Sequence, residues 1–225
     1  MKTFLLTATY AVGIGELILA IYFWVTNSKN EIRRVMSFFA FSTGLWVILS
    51  VLIAYKPPSD FVLLINKYVY VFGIFLVTSF VHLSIIYPIP IVRFDRLHAY
   101  LLYLPTTLFS VISICTDSIV SNTIGGNNNV GVPIGGSIFG IYNIYLAILY
   151  ITGVIILLFQ AKRTDGDIHK NLMIVVWSFI IGGLPAVYID LFGTTFHLVS
   201  PNYLIGNIAT AVWLGSTSYI LLKRS

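Results

Sequence analysis

Charge is what this sequence has least of. Only 9% of its 225 residues are Asp, Glu, Lys or Arg, against 58% hydrophobic residues. A soluble domain carries about 25% charged residues, so most of this chain's surface is not built to face water. Cysteine is nearly absent too. Cys115 is alone, which excludes an intramolecular disulfide, and no Cys/His zinc spacing exists. The sequence lacks a Walker loop, an HExxH pair, a GxSxG elbow and an acidic metal cluster, and without these no enzyme and no cofactor are expected. No internal repeat stands out, although helices 1–3 and 5–7 share a basic loop followed by an outer turn.

What is present is a series of long apolar runs. A bilayer-spanning helix needs about 20 mostly apolar residues. That length scan gives runs at about 3–26, 35–55, 61–87, 97–117, 137–160, 171–192 and 201–222. Barrel strands would be about half as long and would alternate in polarity. The first run is too long for a signal-peptide core, and its positive flank follows it. The predicted fold is an all-α integral membrane bundle of seven transmembrane helices, forming one domain over 1–225 in the cell membrane. The outer loop 118–136 is rich in Gly and Asn, which predicts a turn-rich cap or small hairpin.

Orientation follows from the basic residues, which collect on the cytoplasmic side. One face carries Lys29, Arg33, Arg34, Arg93, Arg96, Lys162, Arg163, Lys170, Lys223 and Arg224; the other carries Lys2, Lys56 and Lys67. This bias predicts the N-terminus outside and the C-terminus in the cytoplasm. The net charge of +5 then belongs to inner loops that meet anionic lipid or a cytoplasmic partner, not to nucleic acid.

Ionisable groups inside membrane helices are costly and so are functional candidates. Glu16 falls near mid-membrane, and its neighbours Gly13 and Gly15 would admit a close second helix. It must be protonated or hydrogen-bonded across helices. His82 lies in the inner half of helix 3, as a satisfied core histidine or as a proton carrier. In the outer third, Lys67, Asp117 and Asp190 are joined by Asn66, Asn143, Asn202 and Asn207. Tyr70, Tyr142, Tyr145, Tyr188 and Tyr203 share that depth. These residues fit a polar, aromatic-lined cavity for a small ligand, or else interfacial anchoring and capping. An ion pair from Lys67 to Asp190 or Asp117 is the specific expectation. Pro105 and Pro185 sit inside helices, and Gly182, Gly183 and Pro185 mark helix 6 as the one to bend. A retinal pigment is disfavoured, because the last run has no lysine at its middle.

The segment NSKNEIRRVMSFFAFSTGLWVI, with Asn27, Asn30, Arg33, Phe38 or Phe39, and Trp46, resembles the first inner loop and second helix of the N-terminal seven-helix sensor region of bacterial histidine kinases. NKYVYVFGIFLVTSFVHLSIIYP, with Phe80, His82 and Pro88, resembles that family's third helix. AYLLYLPTTLFSVISICTD, with Tyr103, Leu104 and Pro105, resembles its fourth. GSIFGIYNIYLAILYITGVIILLFQ and SPNYLIGNIATAVWLGSTSYILLKRS resemble its fifth and last. The resemblance spans almost the whole chain and rests on aromatic placement and helix spacing, with no catalytic signature. It implies a sensor or receptor module of signal transduction, free-standing or truncated, that binds a small ligand or senses the envelope from outside; an oligomer is compatible with the sequence. Its last helix would pass the change to a cytoplasmic signalling partner. The sequence to Ser225 holds no phosphoacceptor or ATP-binding segment, and Tyr219 and Arg224 echo the family's exit motif only loosely. A small solute transporter and a non-catalytic membrane assembly subunit are the rival readings.

Overall fold

A computed structural model describes residues 2–27, 29–53, 57–88, 90, 94–125, 131–188, 210–212 and 214–218. Six long helices are present: α1 Lys2–Asn27, α2 Glu31–Ile53, α3 Asp60–Ile86, α4 Arg96–Cys115, α5 Phe139–Lys162 and α6 Gly166–Tyr188. Strands β1 Val120–Gly125 and β2 Gly131–Gly135 lie between α4 and α5. Residues 210–212 and 214–218 are also helical; the rest of the predicted seventh helix lies outside the described residues. Among the described residues five helices, α1 to α5, are long and apolar enough to cross a membrane. This is a helical bundle with the character of a multi-pass membrane protein.

Its outer surface supports that reading independently of length. Exposed stripes recur at helical spacing: Ile14, Ile18, Ile21 and Val25 on α1; Leu97, Leu101, Leu104 and Leu108 on α4; Ile141, Ile144, Ile148, Ile151 and Ile155 on α5. Water would penalise such faces, whereas lipid would not. The interior is rich in hydroxyls instead. The residues that α4 buries are Thr106, Ser110 and Ser113. Most of these hydroxyls bond a carbonyl one turn back, as in Thr43 to Phe39 (2.8 Å) and Ser110 to Thr106 (2.8 Å), which satisfies them without water.

α3 is the centre, buried along most of its length and packed against α2, α4, α5 and the hairpin. Ser59 caps its start by accepting from the Val62 amide, and Pro88 follows its end, where the residue before proline leaves the helical region. The α1–α2 pair is antiparallel and close. The buried stripe of α1 is Thr9, Gly13, Glu16, Ala20 and Phe23. A Cβ on Gly13 would collide with Ile48, and one on Gly44 would collide with Leu17 and crowd the Gly13 carbonyl. Two turns further, the Ser37 hydroxyl donates to the Ala20 carbonyl at 2.7 Å. Gly15 meets nothing within 4 Å, so of the two predicted contact glycines only Gly13 serves.

The predicted cap is a two-stranded antiparallel hairpin, in which Val120 faces Gly135 and Gly125 faces Gly131, with an irregularity at Ser121. α4 runs as a single helix through Pro105. α6 likewise runs unbroken from Gly166 to Tyr188. There Gly183 leaves room for the Tyr150 ring, which a Cβ would strike, so this glycine serves packing between α5 and α6. Helix α6 starts five residues before the apolar run, because its first turn is polar; Gly166, at φ +62°, opens it.

Replacing Gly44 by leucine is expected to cost about 1–3 kcal/mol through overpacking. Gly15→Ala should stay within about 0.5 kcal/mol of the parent. Unfolding in mixed micelles measures both, and equal losses would contradict this helix pairing.

Candidate functional site

Charge divides between the two ends of the bundle. One end holds the hairpin, the start of α3 and the end of α4. The other holds Lys29, Arg33, Arg34, Arg96, Lys162, Arg163 and Lys170, on the loops and helix ends that join α1 to α2, lead into α4 and join α5 to α6.

At the hairpin end the Lys67 ammonium meets the Asp117 carboxylate at 2.7 Å. The two side chains are unequal: Lys67 is 11% exposed and Asp117 70%. The lysine's stem is packed in the bundle while its charge reaches the rim. Ser113 donates to the Lys67 carbonyl at 3.1 Å, tying α4 to the same turn of α3. Below the pair, the Tyr142 hydroxyl donates to the Tyr70 carbonyl at 2.6 Å. Tyr70 stands edge-on to Phe139 and Tyr142, and Phe109 packs on Tyr142 and Tyr145. Of the predicted set, Lys67, Tyr70, Asp117 and Tyr142 are therefore brought together. Their rings lie against one another and against Ile119 and Val120 of the cap. Asn66 turns its amide back to the Val62 carbonyl at 3.0 Å, and Asn143 is half-buried on α5. The side chain of Tyr188, and Asp190, Asn202, Tyr203 and Asn207, lie outside the described residues.

At mid-length Glu16 is buried, with 3% of its surface exposed. Its Oε1 accepts from the Thr210 hydroxyl at 2.8 Å, so α1 is linked to the C-terminal helical residues. Its Oε2 is buried and has no hydrogen-bond partner among the described residues. Of the two predicted solutions, the interhelical bond is present. A second such link joins Ser216 to Ser178 of α6 at 2.8 Å.

His82 organises the basic end. Its ring stacks on Phe94 with centroids 4.1 Å apart. Its Nδ1 is 3.1 Å from the Tyr103 hydroxyl, and its Nε2 lies 3.8 Å from the Glu31 carboxylate. Helices α2, α3 and α4 thus converge on one imidazole. Nearby, Gln160 donates to the Ser84 carbonyl at 2.8 Å and His169 Nδ1 to the Ala161 carbonyl at 2.7 Å, joining α5 to α3 and to α6. Arg163 lies over the Phe159 ring at 3.9 Å. Arg93, Lys223 and Arg224 are outside the described residues. Sequence reasoning missed Glu31, Phe94 and Tyr103 as partners of His82. Their numbers are far apart, although each is placed at a helix end or one to two turns inside it.

Asp95 caps α4. Hydrogen bonds from the His98 amide (3.1 Å) and from its ring Nδ1 (2.7 Å) hold the Asp95 carboxyl below its usual range. No family model matches this chain, and no curated protein matches it.

Two outcomes follow from this geometry. Asp117→Asn should cost about 1 kcal/mol, because it leaves the Lys67 ammonium at the rim without its counter-charge, on a side chain that is largely packed, and its partner was itself solvated. The swap Lys67→Asp with Asp117→Lys should return part of that loss in the same micellar unfolding assay; no coupling between the two sites would refute the pair. For Asp95, a lowered folded pKa means that its capping stability is fully present above the ordinary value of 3.8. It is then lost as pH falls through the lowered folded value. Hydrogen-exchange protection of the His98 amide, corrected for intrinsic rates, should fall over that acid window in the parent and show no such step in Asp95→Ala.

Proposed function

We propose that this chain is a seven-helix membrane sensor module, with its N-terminus and hairpin outside and its basic loops and C-terminus in the cytoplasm. The observation that carries the reading is the construction of α3. A single central helix bears a cation paired at the rim of one end and, 15 residues further on, a histidine shared by three helices at the other. At about 1.5 Å per residue these lie ~22 Å apart along one rod. A small ligand or envelope change acting on Lys67, Asp117 and the hairpin would bias the packing of α3 against α4 and α5. The Tyr70–Tyr142, Thr78–Thr106 and Ser84–Gln160 bonds (2.6, 2.7 and 2.8 Å) cross those two interfaces at successive levels. A ligand does this only through different affinities for two arrangements. The resemblance to the sensor region of bacterial histidine kinases supports the same direction of signalling, towards a cytoplasmic kinase or related partner.

A transporter is the second reading, and Glu16 favours it. A buried mid-helix carboxylate, with one oxygen unpartnered among the described residues, is the kind of group that solute or proton pathways use.

Orientation can be read with the native thiol. Cys115 is exposed at the end of α4 beside the hairpin, so a membrane-impermeant maleimide should label it in intact cells. Labelling confined to inverted vesicles would reverse the topology. Crosslinking pull-down through a tag after Ser225 should recover a signalling protein. Recovery of none, with solute flux in proteoliposomes that Glu16→Gln abolishes, would replace the sensor with the transporter.

A further inference from the structure

On the outer face of the α1–α2 pair lies an open apolar groove of about 280 Å³, lined by Ala20, Ile21, Trp24, Ser37, Phe38 and Phe41. Its lining is hydrocarbon apart from the indole N–H of Trp24 and the Ser37 hydroxyl, which is already engaged with the Ala20 carbonyl. The groove therefore offers mainly hydrocarbon contact.

Its position along the bundle gives it a polar end. Ala20 stands opposite Ser37 and Gly13 opposite Gly44, which sets the antiparallel register and places Trp24 level with Arg33. On α2, Arg34 precedes Phe38 by four residues and Phe41 by seven, so it belongs to the same helical face. Arg34 is exposed and Arg33 half-buried, with Lys29 on the adjoining turn. Glu31, the acid of this segment, lies 3.8 Å from His82 Nε2, beyond hydrogen-bond reach, and Lys29, Arg33 and Arg34 outnumber it on this stretch. The groove thus runs towards the turn of α2 that bears Arg33 and Arg34, whose guanidiniums are the side chains best shaped for a phosphate. Trp24, 56% exposed, sits where an indole favours the membrane interface.

We propose that this groove and the Arg33–Arg34 pair form a binding site for one anionic phospholipid of the leaflet facing the basic loops. An acyl chain lies along Ala20, Trp24 and Phe41, and the phosphate rests on the two arginines. Charge complementarity selects this occupant over a second copy of the chain, which would bring its own cations to the same place. The site is independent of the sensor reading, since it needs only a bilayer.

Trp24 provides the test. The full chain is reconstituted in phosphatidylcholine vesicles containing an equal minor fraction of acyl-brominated phosphatidylglycerol or acyl-brominated phosphatidylcholine. The Trp24 signal is taken as the difference from Trp24→Phe. Brominated phosphatidylglycerol should quench it with about fivefold greater apparent affinity, the ratio given by ~1 kcal/mol of attraction between a basic side chain and an anionic headgroup. Arg33→Gln with Arg34→Gln should abolish the preference, and the corresponding double lysine variant should keep much of it, which separates lost charge from a lost fold. Ile21→Phe, a change at a lipid-exposed position that fills the groove, should weaken quenching with both arginines intact. Excess inorganic phosphate should leave the preference standing. Equal quenching by the two lipids, an Ile21→Phe variant that binds as the parent does, loss of the preference to free phosphate, or a Trp24 that neither lipid reaches because another helix covers it would each overturn the proposal.

Discussion

The carbonyl oxygens of α3 hold this bundle together. A helix satisfies its own backbone, yet each carbonyl keeps a second lone pair, and in an apolar interior that acceptor is present at every level. Neighbours use it repeatedly. Ser113 reaches Lys67, Tyr142 reaches Tyr70 and Gln160 reaches Ser84. These donors come from α4 and from both ends of α5, so three contacts on one rod determine where two other helices stand. The same device joins α5 to α6, where the Tyr150 hydroxyl donates to the Phe179 carbonyl, and α2 to α1 through Ser37. Lipid tails are as apolar as leucine, so helices gain little by hiding leucine from them; close packing and polar bonds decide association instead.

This explains what the amino-acid sequence disclosed and what it withheld. The existence of the long helices was legible, because a bilayer imposes a length and an apolar composition that a simple scan detects. Helix starts were less so: α2 begins at Glu31 and α6 at Gly166, in polar turns that a hydropathy scan reads as loop. The Gly/Asn-rich cap was recognisable from turn chemistry. The pairing of Lys67 with Asp117, one of two acids considered, needed only their shared depth. The partners of His82 needed more, since Glu31, Phe94 and Tyr103 belong to three separate segments and no periodicity ties them together. The bond from Thr210 to Glu16 was half legible: burial demanded a partner, and nothing in the sequence could say which hydroxyl would supply it.

The aromatic layer at the hairpin end shows the same limit from the other side. Tyr70, Tyr142 and Tyr145 share a depth with Lys67, and composition alone suits either a lined cavity or a filled core. The difference is made by ring geometry: Tyr142 is buried to 1% exposure with Tyr70 and Phe109 set edge-on against it. Any ligand at this end meets the charged rim and the hairpin first, above a layer that is already packed.

The α1–α2 pair has one more consequence. Its glycine crossing and its Ser37 bond lie wholly within the first 50 residues, and among the described residues the main packing partner of α1 is α2. Such a hairpin has its interface complete while the remainder of the chain is still being synthesised. It can enter the bilayer as a finished unit, and the later helices then assemble around it, the C-terminal helical residues reaching α1 through the Thr210–Glu16 bond.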